Sequence, residues 1–370
     1  MKRIALAATI ASLSTLLAAA PASANATWRF AVSGDSRNCG DVVMPAIAAG
    51  ARKDGARFYW HLGDLRATYT FDQDMLAERG GKLNVAGYLK DEWSDFIENQ
   101  IAPFGDMPFF VGIGNHETIP PKTRDQYELQ FADWLDSPVL RAQRLADDPK
   151  DHRVKAYYRW KQGGVDFITL DNATEEQFDD AQVAWLENVL ERDRADRSVR
   201  GVVVGMHRAL PNSFSCGHSM NESAQGVASG RRVYRDLLQW RKETGKPVSV
   251  VASHSHFVMS DLYDTPYWND AAAGDRGVLP GWIAGTAGAV RYALPDGVPS
   301  KVFAKTAVYG YLLGEVGADG KTSFSFREVK RSDVPEEVVS KFGAKAVDEC
   351  FTGNQDMSAA PELPASCSDR

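Results

Sequence analysis

Five short clusters of polar residues follow apolar segments along the chain and carry the side chains best suited to chemistry. In chain order they are SGDSR (33–37), HLGDLR (61–66), GIGNHE (112–117), GMHR (205–208) and SHSH (253–256). Their carboxylates, amide oxygen and imidazoles are ligands that Zn, Mn or Fe takes in a hydrolytic site. The glycines permit the tight turns that lift the next side chain off the end of a strand. The clusters therefore predict a metal site for hydrolysis.

The last cluster places His254 and His256 one residue apart after an apolar run. In an extended chain, alternate side chains point to the same side, so both rings would face one site. The same spacing occurs on any solvent-exposed strand face, and each of the other clusters could be an ordinary turn. Five such clusters in succession, each after an apolar strand, favour a common site.

The elements between the clusters alternate between strands and helices. Apolar strands precede all five clusters, and helical patterns occur in PAIAAGARKDG, in a helical insertion over 66–106, and in GRRVYRDLLQWRKETG. This alternation predicts an α/β fold. Open α/β sheets bind ligands at the carboxyl ends of their strands, which is where the clusters lie.

The N-terminus has the features of a secretory signal peptide. Lys2 and Arg3 precede an apolar stretch, and small residues end at Ala24, so we predict a signal peptide over 1–24. No other segment approaches the roughly 18 unbroken apolar residues of a membrane-spanning helix, so no membrane segment is expected in the mature chain. We predict a periplasmic or secreted protein with its main domain over 25–332 and a C-terminal tail over 333–370.

The net charge indicates which partners the protein is not expected to bind, and the cysteine content bears on disulfide formation. Removing Lys2 and Arg3 with the signal peptide takes the formal charge from −7 to −9. An acidic chain without a basic block is not expected to bind nucleic acid or anionic membranes generally. The four cysteines form no C-x-x-C pair, and export favours disulfides. Proximity favours Cys350–Cys367, which leaves Cys39–Cys216; free thiols are the alternative.

The chain from Trp28 to Arg327 resembles the calcineurin-like metallophosphoesterase superfamily. The resemblance rests on the five clusters, on the hairpin YYRWKQGGVDFITLDN and on the helix AQVAWLENVL. It implies two face-to-face mixed β-sheets flanked by helices, in four α/β/β/α layers. It also implies a centre of two divalent metal ions (Zn, Mn or Fe) at the strand ends. Carried over by position, the metal ligands are Asp64 as the bridge, Asp35 and His256 at the first metal, and Asn115, His207 and His254 at the second.

The resemblance also assigns residues around the metals. His116 would contact the phosphate and donate a proton to the departing oxygen, and Glu117 either orients the His116 ring or is a solvated loop acid. The glycine-rich segment GTAGAVRY (285–292), with Gly288 and Arg291, resembles a loop whose backbone amides could face the phosphate.

The first cluster departs from the family pattern Asp-x-His, because Arg37 stands where a histidine ligand is usual. A guanidinium stays protonated and cannot be a ligand. Water could fill the gap, the first metal could bind weakly, or Arg37 could clamp the phosphate; we favour the clamp together with a water ligand.

Other residues near the clusters are not predicted to be metal ligands. His61 is expected to pack inside the strand rather than replace the missing ligand. Ala67 stands where purple acid phosphatases carry a tyrosine, with Tyr69 two residues on, so no iron–tyrosinate centre is expected. His152 and His218 are interpreted as loop residues, with the edge of a substrate pocket as the alternative for His218.

The sequence thus predicts an exported metal-dependent phosphoesterase in which a metal-bound hydroxide attacks a phosphate ester, with His116 and Arg37 as catalytic residues. The substrate would be a small molecule or another phosphate ester, and a monoester, a diester, a nucleotide, a phospholipid head group and a phosphoprotein all remain open. The alternative is a non-catalytic phosphate- or metal-binding module on the same scaffold, which Arg37 motivates. A serine hydrolase is disfavoured because no G-x-S-x-G elbow lies near the histidines. The sequence makes no prediction of oligomeric state.

Overall fold

The structure, a computed structural model, describes residues 27–173, 177–270, 272–357 and 367. The predicted signal peptide, 1–24, lies outside the described residues. Within the described ranges, no helix combines the length and the apolar character that crossing a membrane requires. The strands are β1 Trp28–Ser33, β2 Ala56–His61, β3 Phe109–Val111, β4 Tyr158–Gln162, β5 Val165–Thr169, β6 Gly201–Met206, β7 Val248–Ala252, β8 Val258–Met259, β9 Gly281–Ala284, β10 Arg291–Tyr292, β11 Ala304–Lys305, β12 Tyr309–Val316, β13 Thr322–Val329 and β14 Gln355–Asp356.

The α-helices follow the patterns expected from the sequence and add shorter ones in the loops. The helical insertion at 66–106 contains two of them and continues into a π-helical turn at Ile97–Ile101. The helices are α1 Gly40–Lys53, α2 Gln73–Glu78, α3 Val85–Phe96, α4 Arg124–Gln130, α5 Ala132–Leu135, α6 Pro138–Asp147, α7 Asp180–Ala195, α8 Ala224–Thr244, α9 Pro266–Asn269, α10 Glu336–Phe342 and α11 Ala344–Thr352.

Two mixed sheets carry the fold, as the sequence predicts. The first has the order β13-β12-β1-β2-β3 and the second the order β11-β8-β9-β7-β6-β5-β4. In the first sheet β1, β2 and β3 run parallel, and in the second β5, β6, β7 and β9 run parallel. Parallel strands end at one edge of their sheet, so the loops after β1, β2, β3, β6 and β7 come together.

Aromatic side chains fill the space between the two sheets. Trp160 on β4 stacks on Phe110 of β3 with ring centroids 3.8 Å apart, and on Phe167 of β5 at 5.1 Å. Phe58 of β2 meets Phe167 edge to face at 5.1 Å. Aromatic pairs in these geometries stabilise a core beyond their burial alone, so this layer fixes how the two sheets face each other.

We expect Trp160→Ala to lower the free energy of unfolding by about 3–5 kcal/mol, the usual cost of removing a large buried aromatic side chain. The indole is buried and in contact with rings from both sheets, so its loss leaves a cavity at their interface. Chemical denaturation measures the change. The control Leu129→Ala removes a side chain that is 79% exposed and should change stability by at most about 0.5 kcal/mol. Equal stability of the two variants would contradict the packing described.

The disulfides differ from the predicted pairs. The structure joins Cys39 to Cys350 and Cys216 to Cys367, so the predictions Cys350–Cys367 and Cys39–Cys216 are wrong. Closeness in sequence misled the prediction, because α11 packs Cys350 beside the first turn of α1. Val338, Phe342 and Val347 from the tail are buried in the same hydrophobic core as β1 and α1.

Candidate metal centre

The loops after five strands bring the predicted ligands to one place. Asp35 follows β1, Asp64 follows β2, Asn115 follows β3, His207 follows β6 and His254 follows β7. Asp35, Asp64 and His254 all have left-handed backbones, with φ of 60°, 59° and 66°. Non-glycine residues adopt this conformation at some cost, and such outliers cluster at functional sites.

Three atoms with lone pairs converge on His207 Nε2. This nitrogen lies 3.0 Å from Asn115 Oδ1, 3.0 Å from His254 Nδ1 and 3.2 Å from Asp64 Oδ1. The other ring nitrogen, Nδ1, donates to the carbonyl of Leu62 at 3.0 Å, which fixes the ring. Ligands about 2.0–2.2 Å from one ion lie at separations of this size from one another.

The chemistry of this donor set fits a divalent cation. Asp64 Oδ2, on the same carboxylate as the converging Oδ1, is buried without a hydrogen-bond partner. One proton on His207 Nε2 could satisfy only one of its three close contacts. Burial opposes a charge on His207, but Asp64 outweighs it and raises the pKa of that ring. A positive charge is therefore favoured at this point, and Asp35, Asp64, His207 and His254 form a group that could hold a metal ion.

At the position predicted for the first metal, an arginine lies among the predicted ligands, although Asp35 Oδ1 is buried there without a hydrogen-bond partner. His256 Nε2 lies 3.3 Å from Asp35 Oδ1, but Arg37 Nη2 lies 3.1 Å from the same nitrogen. Arg37 Nε is 3.6 Å from Asp64 Oδ2. Burial opposes the charge of Arg37, yet Asp64 outweighs it, and the pKa of Arg37 is raised. The guanidinium thus lies among the side chains predicted to hold the first metal.

His116 lies over Asp64 with a fixed ring orientation. Its Nδ1 donates to the carbonyl of Ala67 at 2.6 Å, and its Nε2 is 3.5 Å from Asp64 Oδ2. Its backbone N–H donates to Asp64 Oδ1 at 3.1 Å. Burial lowers the pKa of His116 to about 4, so the free ring is neutral near pH 7.

Glu117 supports the loops rather than the His116 ring. Its carboxylate accepts from the backbone N–H groups of Asp64 at 2.9 Å, Leu65 at 2.9 Å and Gly114 at 2.7 Å. Neither expectation for Glu117 is correct, because Ala67 orients the His116 ring and the Glu117 side chain is fully buried. Burial and then Asp64 raise its pKa to about 8, although the N–H groups favour its charged form. It fixes the turn that carries Asp64 against the turn that carries Asn115.

The glycine-rich segment does not place Gly288 and Arg291 as predicted. Gly288, with φ of 156°, packs against the backbone of Ser36 and Gly40, where a Cβ would collide. The Arg291 guanidinium donates to the carbonyls of Asn354 at 3.0 Å, Ala307 at 3.2 Å and Cys350 at 3.3 Å. These groups hold the C-terminal segment in place, so the prediction that they contact phosphate is wrong.

The amides beside Gly288 are also engaged within the protein. Ala287 and Ala289 donate to the carbonyls of Gly34 and Asp35. The segment therefore positions the Asp35 loop instead of presenting these two amides to a ligand.

His61 occupies the packed position expected from the sequence. Its Nδ1 accepts from the backbone N–H of Gly63 at 3.2 Å, so its Nε2 donates to Ser36 Oγ at 2.9 Å. Burial lowers its pKa to about 3. Both ring nitrogens are thus engaged away from the metal ligands.

Sequence reasoning missed several side chains at the centre. Tyr69 Oη lies 3.1 Å from Arg37 Nη1, and its ring is 5.0 Å from that of His116. Tyr292 stacks on His256 at 4.1 Å. His218, for which a surface loop was favoured over the edge of a substrate pocket, lies with its ring 5.2 Å from that of His254. These residues come from separate loops, and no local motif joined them to the five clusters.

The comparisons with known proteins come from sequence and structure. The model of the calcineurin-like phosphoesterase family matches residues 29–258. No curated protein matches the sequence at a significant level. The purple acid phosphatase PPD1 from seeds of yellow lupin (Lupinus luteus) is similar in structure, with a TM-score of 0.53 and 16% identity, over 82% of this chain and 53% of that one. This chain thus spans about half the length of the lupin protein, and the likeness shows the fold.

Two further solved structures are similar at lower scores. PhoD has a TM-score of 0.49 and 13% identity, over 87% of this chain and 78% of that one. A dimetal phosphatase from Danio rerio has a TM-score of 0.44 and 11% identity, over 78% of this chain and 92% of that one.

Proposed function

Because this chain belongs to the calcineurin-like phosphoesterase family, whose members are hydrolases that act on phosphate esters, we propose that it is an enzyme of this kind. We propose that it is exported and hydrolyses a small phosphate ester at the strand-end metal centre, the site formed by the loops after β2, β3, β6 and β7. The observation that carries the proposal is the convergence of Asp64 Oδ1, Asn115 Oδ1 and His254 Nδ1 on His207 Nε2. These atoms come from four different loops, which follow β2, β3, β6 and β7.

Asp64, Asn115, His207 and His254 would hold the metal. A divalent ion in such a site supplies Lewis acidity and lowers the pKa of coordinated water towards about 7. The bond from His207 Nδ1 to Leu62 keeps Nε2 directed at the site, and Glu117 holds the Asp64 turn in place. A two-metal version of the centre, as the sequence predicts, would require Arg37 to leave His256.

The phosphate would bind between the metal ligands, Arg37 and His116. Arg37 offers N–H groups beside Asp64 and pairs well with phosphate oxygens. His116 Nε2 faces the same space, while its Nδ1 is engaged with Ala67. A bound phosphate would favour the protonated ring, which could then give a proton to the departing oxygen.

Export is supported by the disulfides and by the predicted signal peptide. Cys39–Cys350 and Cys216–Cys367 join segments far apart in the chain, and such bonds persist in oxidising compartments. We therefore propose a periplasmic or secreted enzyme.

Hydrolysis should depend on a divalent metal. We expect the mature protein to hydrolyse at least one of p-nitrophenyl phosphate and bis(p-nitrophenyl) phosphate, to lose this activity after treatment with a chelator, and to regain it with Mn²⁺ or Zn²⁺. The rate of p-nitrophenol release, with metal content measured in parallel, tests this. Which ester is the better substrate gives the substrate class.

The alternative of a non-catalytic module makes the opposite forecast for the same assay. The alternative would be supported if the protein binds metal and phosphate but hydrolyses neither of these esters and no other ester in a broad panel. Activity that survives complete removal of metal would contradict the proposed chemistry.

A further inference from the structure

Arg37 lies against His256 and Asp64, two of the three side chains that the family resemblance assigns to the first metal. Its Nη2 is 3.1 Å from His256 Nε2, and its Nε is 3.6 Å from Asp64 Oδ2. His256 Nε2 is in turn 3.3 Å from Asp35 Oδ1. The Arg37 side chain is buried, so this guanidinium is enclosed by the pocket rather than extended into solvent.

The hydrogen bonding of His256 leaves a single lone pair in the pocket. Its Nδ1 donates to the carbonyl of Val290 at 2.5 Å, so a neutral ring carries its lone pair on Nε2. Arg37 donates to that lone pair, because a guanidinium has only donors. A metal at the first position would need the same lone pair, so Arg37 and a metal ligated by His256 exclude each other.

Surrounding groups hold Arg37 in this place. Nη1 donates to Tyr69 Oη at 3.1 Å, and Tyr292 stacks on the His256 ring. Cys39, two residues further on, donates its N–H to the carbonyl of Arg37 and is tied to Cys350 by a disulfide. The segment that carries Arg37 is therefore anchored on both its side-chain and main-chain sides.

We propose that the guanidinium of Arg37 takes the place of the first metal, so that the centre binds one divalent ion, through Asp64, Asn115, His207 and His254. The inference deepens the proposed function, on which it rests, by naming the charge that faces the substrate phosphate beside that ion. Arg37 supplies a fixed, protonated cation that no chelator removes. The Arg37 guanidinium thereby supplies the positive charge that the second metal ion would supply in a two-metal centre.

Metal stoichiometry tests this without substrate. The mature protein is stripped with a chelator, titrated with Mn²⁺ by calorimetry, and its bound metal measured by elemental analysis. We expect one equivalent for the wild type, one for His256→Ala, and none at the strand-end site for His207→Ala. Two equivalents in the wild type, with one lost in His256→Ala, would overturn the proposal.

The reverse substitution provides a second readout. Arg37→His supplies the missing imidazole, and we expect it to bind two equivalents and to give a spin-coupled Mn²⁺ signal by electron paramagnetic resonance. The control Arg192→His adds a histidine on α7, on a half-exposed side chain, and should stay at one equivalent. One uncoupled ion in a folded Arg37→His protein would count against the proposal. If that variant fails to fold, the wild-type and His256→Ala stoichiometries still decide.

Failure of this inference and failure of the proposed function give different results. One equivalent of metal without turnover on any ester would leave the stoichiometry intact and contradict the enzyme. Turnover with two equivalents would uphold the enzyme and contradict the role of Arg37. No metal bound at all would contradict both.

Discussion

Replacing His207 with alanine is expected to remove the metal and to lower kcat/KM for a phosphate ester by roughly 10³-fold or more, the scale seen when a principal charge-stabilising group is lost. His207 Nε2 is the atom on which the other three ligand atoms converge, at 3.0–3.2 Å. Its removal leaves Asp64, Asn115 and His254 without a common centre. Steady-state kinetics with metal analysis measures both losses.

The matched control for this prediction is His152→Ala. His152 is exposed and lies in the loop before β4, so its loss should change neither the metal content nor the rate. Thermal unfolding of both variants checks that they fold. If a folded His207→Ala protein kept both its metal and full activity, the site would be placed wrongly.

Replacing His116 with asparagine is expected to lower kcat by about 10²–10³-fold and to leave the metal content unchanged. The ring is held by Ala67 with Nε2 facing Asp64 Oδ2, so it reaches the phosphate side of the centre without being one of the four converging ligands. KM should change less than kcat, because a proton given to the leaving oxygen acts in the transition state.

A series of leaving groups separates proton donation from a structural role for His116. The loss in kcat should be large for phenyl phosphate, whose leaving oxygen needs a proton, and small for p-nitrophenyl phosphate, whose leaving oxygen does not. A loss that is equal for both esters would contradict proton donation by His116.

The fold and the convergence of the strand-end side chains could be predicted from sequence because the signal is local. Each of Asp35, Asp64, Asn115, His207 and His254 follows an apolar strand directly, and parallel strands end at a common edge. The position of His61 could be predicted for the same reason, since the face on which it lies follows from its place in β2.

What sequence reasoning missed depends on contacts between distant segments. The partner of Cys39 is set by how the C-terminal helices pack, because α10 contacts α1 and α11 contacts α10. The partners of Arg291 are the carbonyls of residues 307, 350 and 354. In the sequence, Glu117 is indistinguishable from an ordinary acidic loop residue. Only the folded chain brings the turns after β2 and β3 together, and there the Glu117 carboxylate accepts from three backbone N–H groups.

The interpretation of Arg37 needs both the sequence and the structure. The sequence reveals that an arginine stands where the family has a histidine ligand. The sequence alone allows three outcomes: a water completes the first site, the first metal binds weakly, or Arg37 binds the phosphate. The contact with His256 depends on the loops after β1 and β7 and on Tyr69, which together set the direction of the guanidinium.

Anomalous X-ray scattering from crystals of the Mn²⁺-loaded protein tests the central claim most directly. The account predicts an anomalous peak at coordination distance from Asp64, Asn115, His207 and His254, and its loss in crystals of His207→Ala. A metal-loaded, active protein with its anomalous peak elsewhere, or with no peak among these four side chains, would contradict it.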